Sequence, residues 1–244
     1  MQTNLTKKTL LLIQLLLWCG SLFGQPAQAL LLQADTLFSN KQYTESLRKY
    51  EQILEQTGQA TPAMLLRMAF IEEGLGDYTQ ALYYLNLYYR QKPSQAVAVK
   101  MEELAARYNL VGYRFSDVDF FFMWYDRYYA YLIAALMLLS LLLLVIAARK
   151  KIKGRFVLIR HGVGLILFLL LNVALLNLRS DATQAIVNQD GAYLMNAPSA
   201  GAGLVHIVQK GNRLEVSGQQ DIWLKTEWNG QAAYVRLHHV LLVK

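Results

Sequence analysis

The spacing of apolar residues divides this chain of 244 residues into five successive pieces. The first, residues 1–29, has the basic pair Lys7-Lys8, an apolar core from Leu10 to Trp18 and then small residues. That core is too short to cross a bilayer of about 30 Å. The pattern predicts a secretory signal, cut after Gly24 or after Ala27-Gln28-Ala29, with an uncleaved anchor as the alternative. Cys19, the only cysteine, lies inside it. A mature chain without cysteine has no disulfide, zinc–thiolate cluster or thiol nucleophile.

Residues 30–111 carry helical spacing. The windows 40–54 and 75–89 align at an offset of 35, and both contain Tyr-Thr-x-small-Leu: Tyr43 to Leu47 and Tyr78 to Leu82. Ala34 and Ser46, then Ala69 and Ala81, supply small residues where two helices of a pair must cross closely. Gly76-Asp77 predicts a tight turn, and Pro93 ends the second pair. A period near 34 residues resembles the tetratricopeptide (TPR) repeat. Two repeats bury little core by themselves. The stretch 94–110, apolar at Val97, Met101, Leu104 and Tyr108, is therefore expected to form an amphipathic capping helix.

The third and fourth pieces carry the long apolar runs of the chain. Residues 112–129 form an aromatic linker with Phe120, Phe121, Phe122, Trp124, Tyr125, Tyr128 and Tyr129, suited to a membrane interface. No charge occurs from Ala130 to Ala148, and a second apolar run covers 162–178. These predict two transmembrane helices, 130–148 and 162–178, joined by a basic loop, 149–161. Ser140 and Asn172 are expected to hydrogen-bond across this hairpin, a local backbone bond being the alternative.

From residue 182 to 244 the period shortens to that of strands, with turn residues between short runs. Asn229-Gly230 predicts a two-residue hairpin. Five or six strands in about sixty residues imply a small all-β barrel. The fold class is thus a multidomain membrane protein: helical repeats, a two-helix transmembrane hairpin and a barrel.

The formal charge of +7 changes this picture once it is mapped. Six basic residues lie between Arg149 and Arg160 with no acidic neighbour, whereas residues 30–127 hold ten basic against twelve acidic. No domain surface carries the excess, which argues against nucleic-acid binding. Short basic loops stay cytoplasmic, so Arg149, Lys150, Lys151, Lys153 and Arg155 are expected to set topology and to meet anionic lipid headgroups. Both soluble domains then lie on the periplasmic side of a bacterial inner membrane.

No catalytic or cofactor motif accompanies these pieces. His238 and His239, adjacent in an expected strand, would point to opposite faces and share no metal. The expectation is a non-enzymatic protein without cofactor or metal. The candidate sites are binding surfaces. By resemblance to the repeat family, the concave positions are Asp35, Phe38, Leu66, Phe70 and Glu73. In the barrel, Tyr193, Trp223, Trp228 and Tyr234 are candidates for a ligand groove, with Trp223 equally suited to a core.

The runs Ala192–Ser199, Lys210–Val216, Trp223-Leu224-Lys225 and Ala233-Tyr234-Val235 resemble a bacterial SH3-like (SH3b) domain. The whole order is similar to that of the BatE-type proteins of the Bacteroides aerotolerance (Bat) group. That resemblance implies an envelope protein working beside membrane proteins with von Willebrand A domains and a MoxR-type AAA ATPase. The expected function is an inner-membrane adaptor binding membrane or periplasmic proteins. The alternative is a cell-wall sensor or anchor whose barrel binds peptidoglycan.

Overall fold

The computed structural model describes residues 25–115, 117–152, 159–177 and 183–243. The chain divides into two compact units, Met1–Lys92 and Pro93–Lys244. Most of the expected signal, residues 1–24, lies outside the described residues, and Gln25–Ala29 form the first turn of a helix.

In the first unit, helices α1 (Gln25–Ser39) and α2 (Tyr43–Thr57) pack as one pair, and α3 (Pro62–Leu75) and α4 (Tyr78–Gln91) as another. Caps set the boundaries. The Thr61 side chain accepts from the Met64 N–H with Pro62 at the first helical position, and Asp77 accepts from the N–H groups of Thr79 and Gln80. Both satisfy donors that a helix start leaves orphaned. The small residues sit where the offset of 35 places them: Ala34, Ser46, Ala69 and Ala81 are all buried. The Ser46 hydroxyl donates to the Ala34 carbonyl at 2.8 Å, which is only reachable where two helix backbones approach closely.

The second unit opens with α5 (Gln95–Arg107), which buries Val97, Met101 and Leu104. Tyr108, expected on that stripe, is exposed because the helix ends at Arg107 and Tyr108 leaves its spacing as the C-cap. Helix α6 (Asp117–Ile152) runs for 36 residues. Most of the aromatic linker is therefore its first three turns. The basic run also begins inside it: Arg149, Lys150 and Lys151 occupy its last turn, where positive charge suits the helix C-terminus. Lys153 and Arg155 lie outside the described residues.

Among the described residues one stretch, Arg127–Ile146, is long and apolar enough to cross a membrane, with a mean hydropathy of 2.6. In α7 (Ile159–Asn177) the corresponding apolar stretch is the shorter Ile166–Leu175. A pair of full spans is thus not established by length and composition. Helices α6 and α7 do pack together, and the Tyr125 hydroxyl donates to the Leu175 carbonyl at 2.6 Å.

That contact fixes the relative level of the two polar residues in these apolar helices, Ser140 and Asn172. Asn172 lies three residues from Leu175, whereas Ser140 lies fifteen from Tyr125. At 1.5 Å per residue the two are about 18 Å apart along the antiparallel pair. The expected bond between them is absent. Ser140 donates instead to Leu136 O and Asn172 Nδ2 to Phe168 O, each one turn back.

The sheet has seven antiparallel strands: β1 (Thr183–Val187), β2 (Ala192–Met195), β3 (Leu204–Val208), β4 (Arg213–Gln220), β5 (Trp223–Trp228), β6 (Gln231–Arg236) and β7 (Val240–Val243). Their order is β3-β2-β6-β5-β4-β1-β7. Alternate residues fill one core, including Ala185, Val187, Leu194, Val208, Leu214, Leu224, Ala233 and Val235. Asn229 and Gly230 both have positive φ, +50° and +79°, and join β5 to β6 with Trp228 opposite Gln231. Only residues tolerant of that backbone allow a two-residue hairpin here. His238 and His239 belong to a 3-10 turn, not a strand. Their rings consequently meet edge to face at 4.3 Å rather than pointing apart.

The Asn172 Oδ1 atom is buried without a hydrogen-bond partner. Asn172→Leu is therefore expected to leave the packing of α6 on α7 unchanged or tighter, read as the SDS fraction that unfolds the micellar protein. A loss of about 1 kcal/mol would instead show the carboxamide bridging the helices.

Candidate interaction surfaces

On the first unit, three of the five expected concave residues come together. Asp35 Oδ1 accepts a hydrogen bond from the Tyr50 hydroxyl at 2.7 Å and an ion pair from Arg67. The Arg67 guanidinium lies 5.3 Å above the Phe38 ring, and its Nη1 also reaches the Tyr50 hydroxyl at 3.3 Å. Phe38, Tyr43 and Phe70 meet edge to face, with centroids 5.4 to 5.9 Å apart. Thus α1, α2 and α3 each contribute to one cluster. Leu66 and Glu73 share the Phe70 face of α3, one turn to either side.

The pKa shifts follow from this arrangement. Burial, then the hydrogen bond to Asp35, raises the Tyr50 phenol above its ordinary value. The Asp35 carboxylate, then Tyr50, makes the Arg67 proton harder to remove than usual. Arg67 and Asp35 remain about a third exposed. Such a pair contributes no more than about 1 kcal/mol to stability. Its main effect is positional: it fixes a cation above Phe38 and leaves Phe70, 56% exposed, and Leu66 facing water.

Tyr43, Tyr50 and Arg67 were not among the expected site residues. Tyr43 carried a signal, since it heads the repeated Tyr-Thr motif. Arg67 carried none, because Leu32 stands 35 residues before it. Tyr50 belongs to a second helix and reaches the cluster only through the length of its side chain.

On the sheet, the four expected aromatics do not form one groove. Tyr193, Trp223 and Tyr234 alternate with core residues and face outward. Trp228 shares the inward face of Leu224 and Thr226, and stacks on His206 at 5.0 Å. Trp223 is only 7% exposed, and the Arg236 guanidinium lies over its ring at 5.3 Å. Tyr193 is the exposed one, directly opposite Ile207, and Tyr234 pairs with Met195 and Lys225.

A third polar constellation joins the segment before α6 to the β3–β4 turn. The Val111 N–H donates to Asn212 Oδ1 at 2.6 Å, and the Arg213 N–H donates to Val111 O at 3.0 Å. The Tyr113 hydroxyl donates to Gly211 O at 2.7 Å. Sequence reasoning missed this contact, whose partners lie about a hundred residues apart.

Among the described residues no group of three or more His, Cys, Asp and Glu gathers as a metal site would require. Neither a scan against protein-family models nor a search of curated proteins finds a match to this chain.

Two measurements follow. Phe70→Ala is expected to lower stability by about 1–3 kcal/mol, the value of its two ring contacts, with Phe38 and Tyr43. Leu65→Ala, which empties a fully buried site on the same helix, should cost about 2–5 kcal/mol by urea unfolding. For His239, burial and then the charges of His238 and Arg236 lower the pKa below the ordinary 6.5. The unfolded chain therefore takes up that proton first. Stability is full above about pH 6.5 and falls as pH drops through that value. Thermal melts at pH 7.5 and 5.5 should show a smaller acid loss in His239→Gln than in the wild type.

Proposed function

We propose that this protein is a non-enzymatic adaptor of the bacterial inner membrane that binds protein partners through modules held on one side of the bilayer. The single observation carrying this reading is the α1–α3 cluster. There Phe70 and Leu66 stay exposed beside a cation held in place by Asp35 and Tyr50. Exposed apolar side chains around a positioned charge suit recognition of another protein. The helix pairs at an offset of 35, with small residues buried at each crossing, support a TPR-type groove. The seven-stranded antiparallel sheet is compatible with the SH3-like resemblance.

The contact between Val111 and the β3–β4 turn supports a two-pass topology. It lies six residues before α6, and the sheet follows α7. If α6 crosses the bilayer, the chain must cross back for Val111 to meet Asn212 and Arg213. Helix α7 has 19 residues, about 28 Å of helix, close to the hydrocarbon thickness. The short basic run between them then lies in the cytoplasm, against anionic headgroups. The two modules are periplasmic. By resemblance to the Bat group, the proposed partners are envelope proteins with von Willebrand A domains, in an aerotolerance or stress context.

The exposed Tyr193 beside Ile207 favours a second reading, in which the sheet binds peptidoglycan. A photocrosslinking residue at Leu66, used in intact cells, is expected to capture membrane or periplasmic proteins. Phe70→Asp should abolish that capture while leaving the protein folded. Absence of capture under several growth conditions, together with retention on purified sacculi, would replace the adaptor with the cell-wall reading.

A further inference from the structure

Residues Val111–Phe115 connect α5 to α6 and bind the β3–β4 turn chiefly through polar groups. Val111 uses both of its main-chain groups, one on the Asn212 carboxamide and one on the Arg213 N–H. Gly112 has φ +96°, and a Cβ there would lie 2.3 Å from the Arg213 carbonyl oxygen. Any other residue would meet main chain at that point and strain its own backbone. The Arg213 guanidinium lies 5.0 Å from the Tyr113 ring and 4.6 Å from that of Phe115. The Phe115 N–H donates to Glu102 Oε1 at 2.8 Å, which ties the far end of the segment to α5.

What holds this segment differs from what holds the sheet. Tyr113 is buried, but Val111 and Arg114 are exposed and Phe115 is half-buried. The sheet's own core, from Ala185 to Val240, includes none of these residues. Release would break a few hydrogen bonds and two cation–π contacts and return one buried ring, that of Tyr113, to water, while the sheet keeps its apolar core. Segments with few buried apolar contacts open locally, below the free energy of global unfolding.

We propose that Val111–Phe115 is a latch. Closed, it fixes the sheet against the N-terminal end of α6. Its local release, with sheet and helices intact, is the conformational switch of this unit. The proposal does not rest on the adaptor reading, since it concerns the sheet and its connection to α6 and needs no partner.

The test is hydrogen exchange by mass spectrometry on the full chain in lipid nanodiscs, comparing wild type with Gly112→Ala and Tyr113→Phe. Gly112→Ala should speed exchange of peptides covering 109–115 and 209–216 roughly tenfold or more, as expected when at least two such bonds are lost. Peptides covering β5 and β6 should keep their wild-type rates. Tyr113→Phe removes one hydroxyl without backbone strain, and should raise the same two regions by a smaller factor. Unchanged exchange at 209–216 in both variants would overturn the latch. So would an equal rise across all seven strands in both variants, which would make the segment part of the sheet's cooperative core.

Discussion

One contact, that of Val111 with Asn212 and Arg213, joins the chain before α6 to the sheet that follows α7. It closes a loop of about a hundred residues that contains the whole of α6 and α7. Closing so long a loop is costly in chain entropy, and three features offset that cost. The Asn212 carboxamide also donates to Gln209 O at 3.0 Å, so its acceptor is already oriented. Gly112 allows the backbones to approach at a distance that a side chain would forbid. Arg213, largely buried, is covered by two aromatic rings rather than left as an isolated charge. The Tyr125–Leu175 bond then acts in series with this contact, since it holds the helix ends nearest the sheet together.

In the first unit the order of causes runs the other way, from local to distant. Caps at Thr61 and Asp77 start the helices, and left-handed glycines at 58 and 76 end the preceding ones. Small residues at the crossings then bring each pair together. Once α1 and α3 lie side by side, Asp35 and Arg67 meet although 32 residues separate them. About a third exposed, that pair adds little stability, but it removes most of the freedom of a long side chain. A guanidinium already ordered over Phe38 loses less entropy on meeting a partner than a mobile one would.

Periodicity made much of this legible in the sequence. The helix pairs, the apolar helix ending in positive charge, the Asn229-Gly230 hairpin and the strand-rich end all follow from local spacing. What escaped was set by tertiary register. Ser140 and Asn172 seemed level when counted from the basic run. The true register follows from Tyr125 meeting Leu175, which no local pattern encodes. Trp223 and Trp228 look alike in sequence, yet a spacing of five places them on opposite faces of β5. Nothing local marks Asn212 and Gly112, because their partners lie about a hundred positions away. Three of the five expected groove residues do gather in one cluster, but Arg67, which joins Phe38 to Asp35, falls outside the repeated pattern.

The basic run and the Val111 contact constrain the chain from opposite ends of the same two helices. On the proposed two-pass topology, positive charge between α6 and α7 disfavours translocation of that segment. The contact at the other end requires the chain before α6 and the chain after α7 to meet. Each constraint operates without the other: charge acts while the chain inserts, and hydrogen bonding acts once the sheet has folded. A chain inserted in the opposite sense could still close the Val111 contact, and a correctly inserted one could still leave it open. On that topology, orientation would rest on Arg149 and its neighbours, whereas the pairing of helix ends rests on Val111, Tyr125 and their partners. A helix pair held this way needs no polar bond between Ser140 and Asn172, each of which turns back to its own backbone.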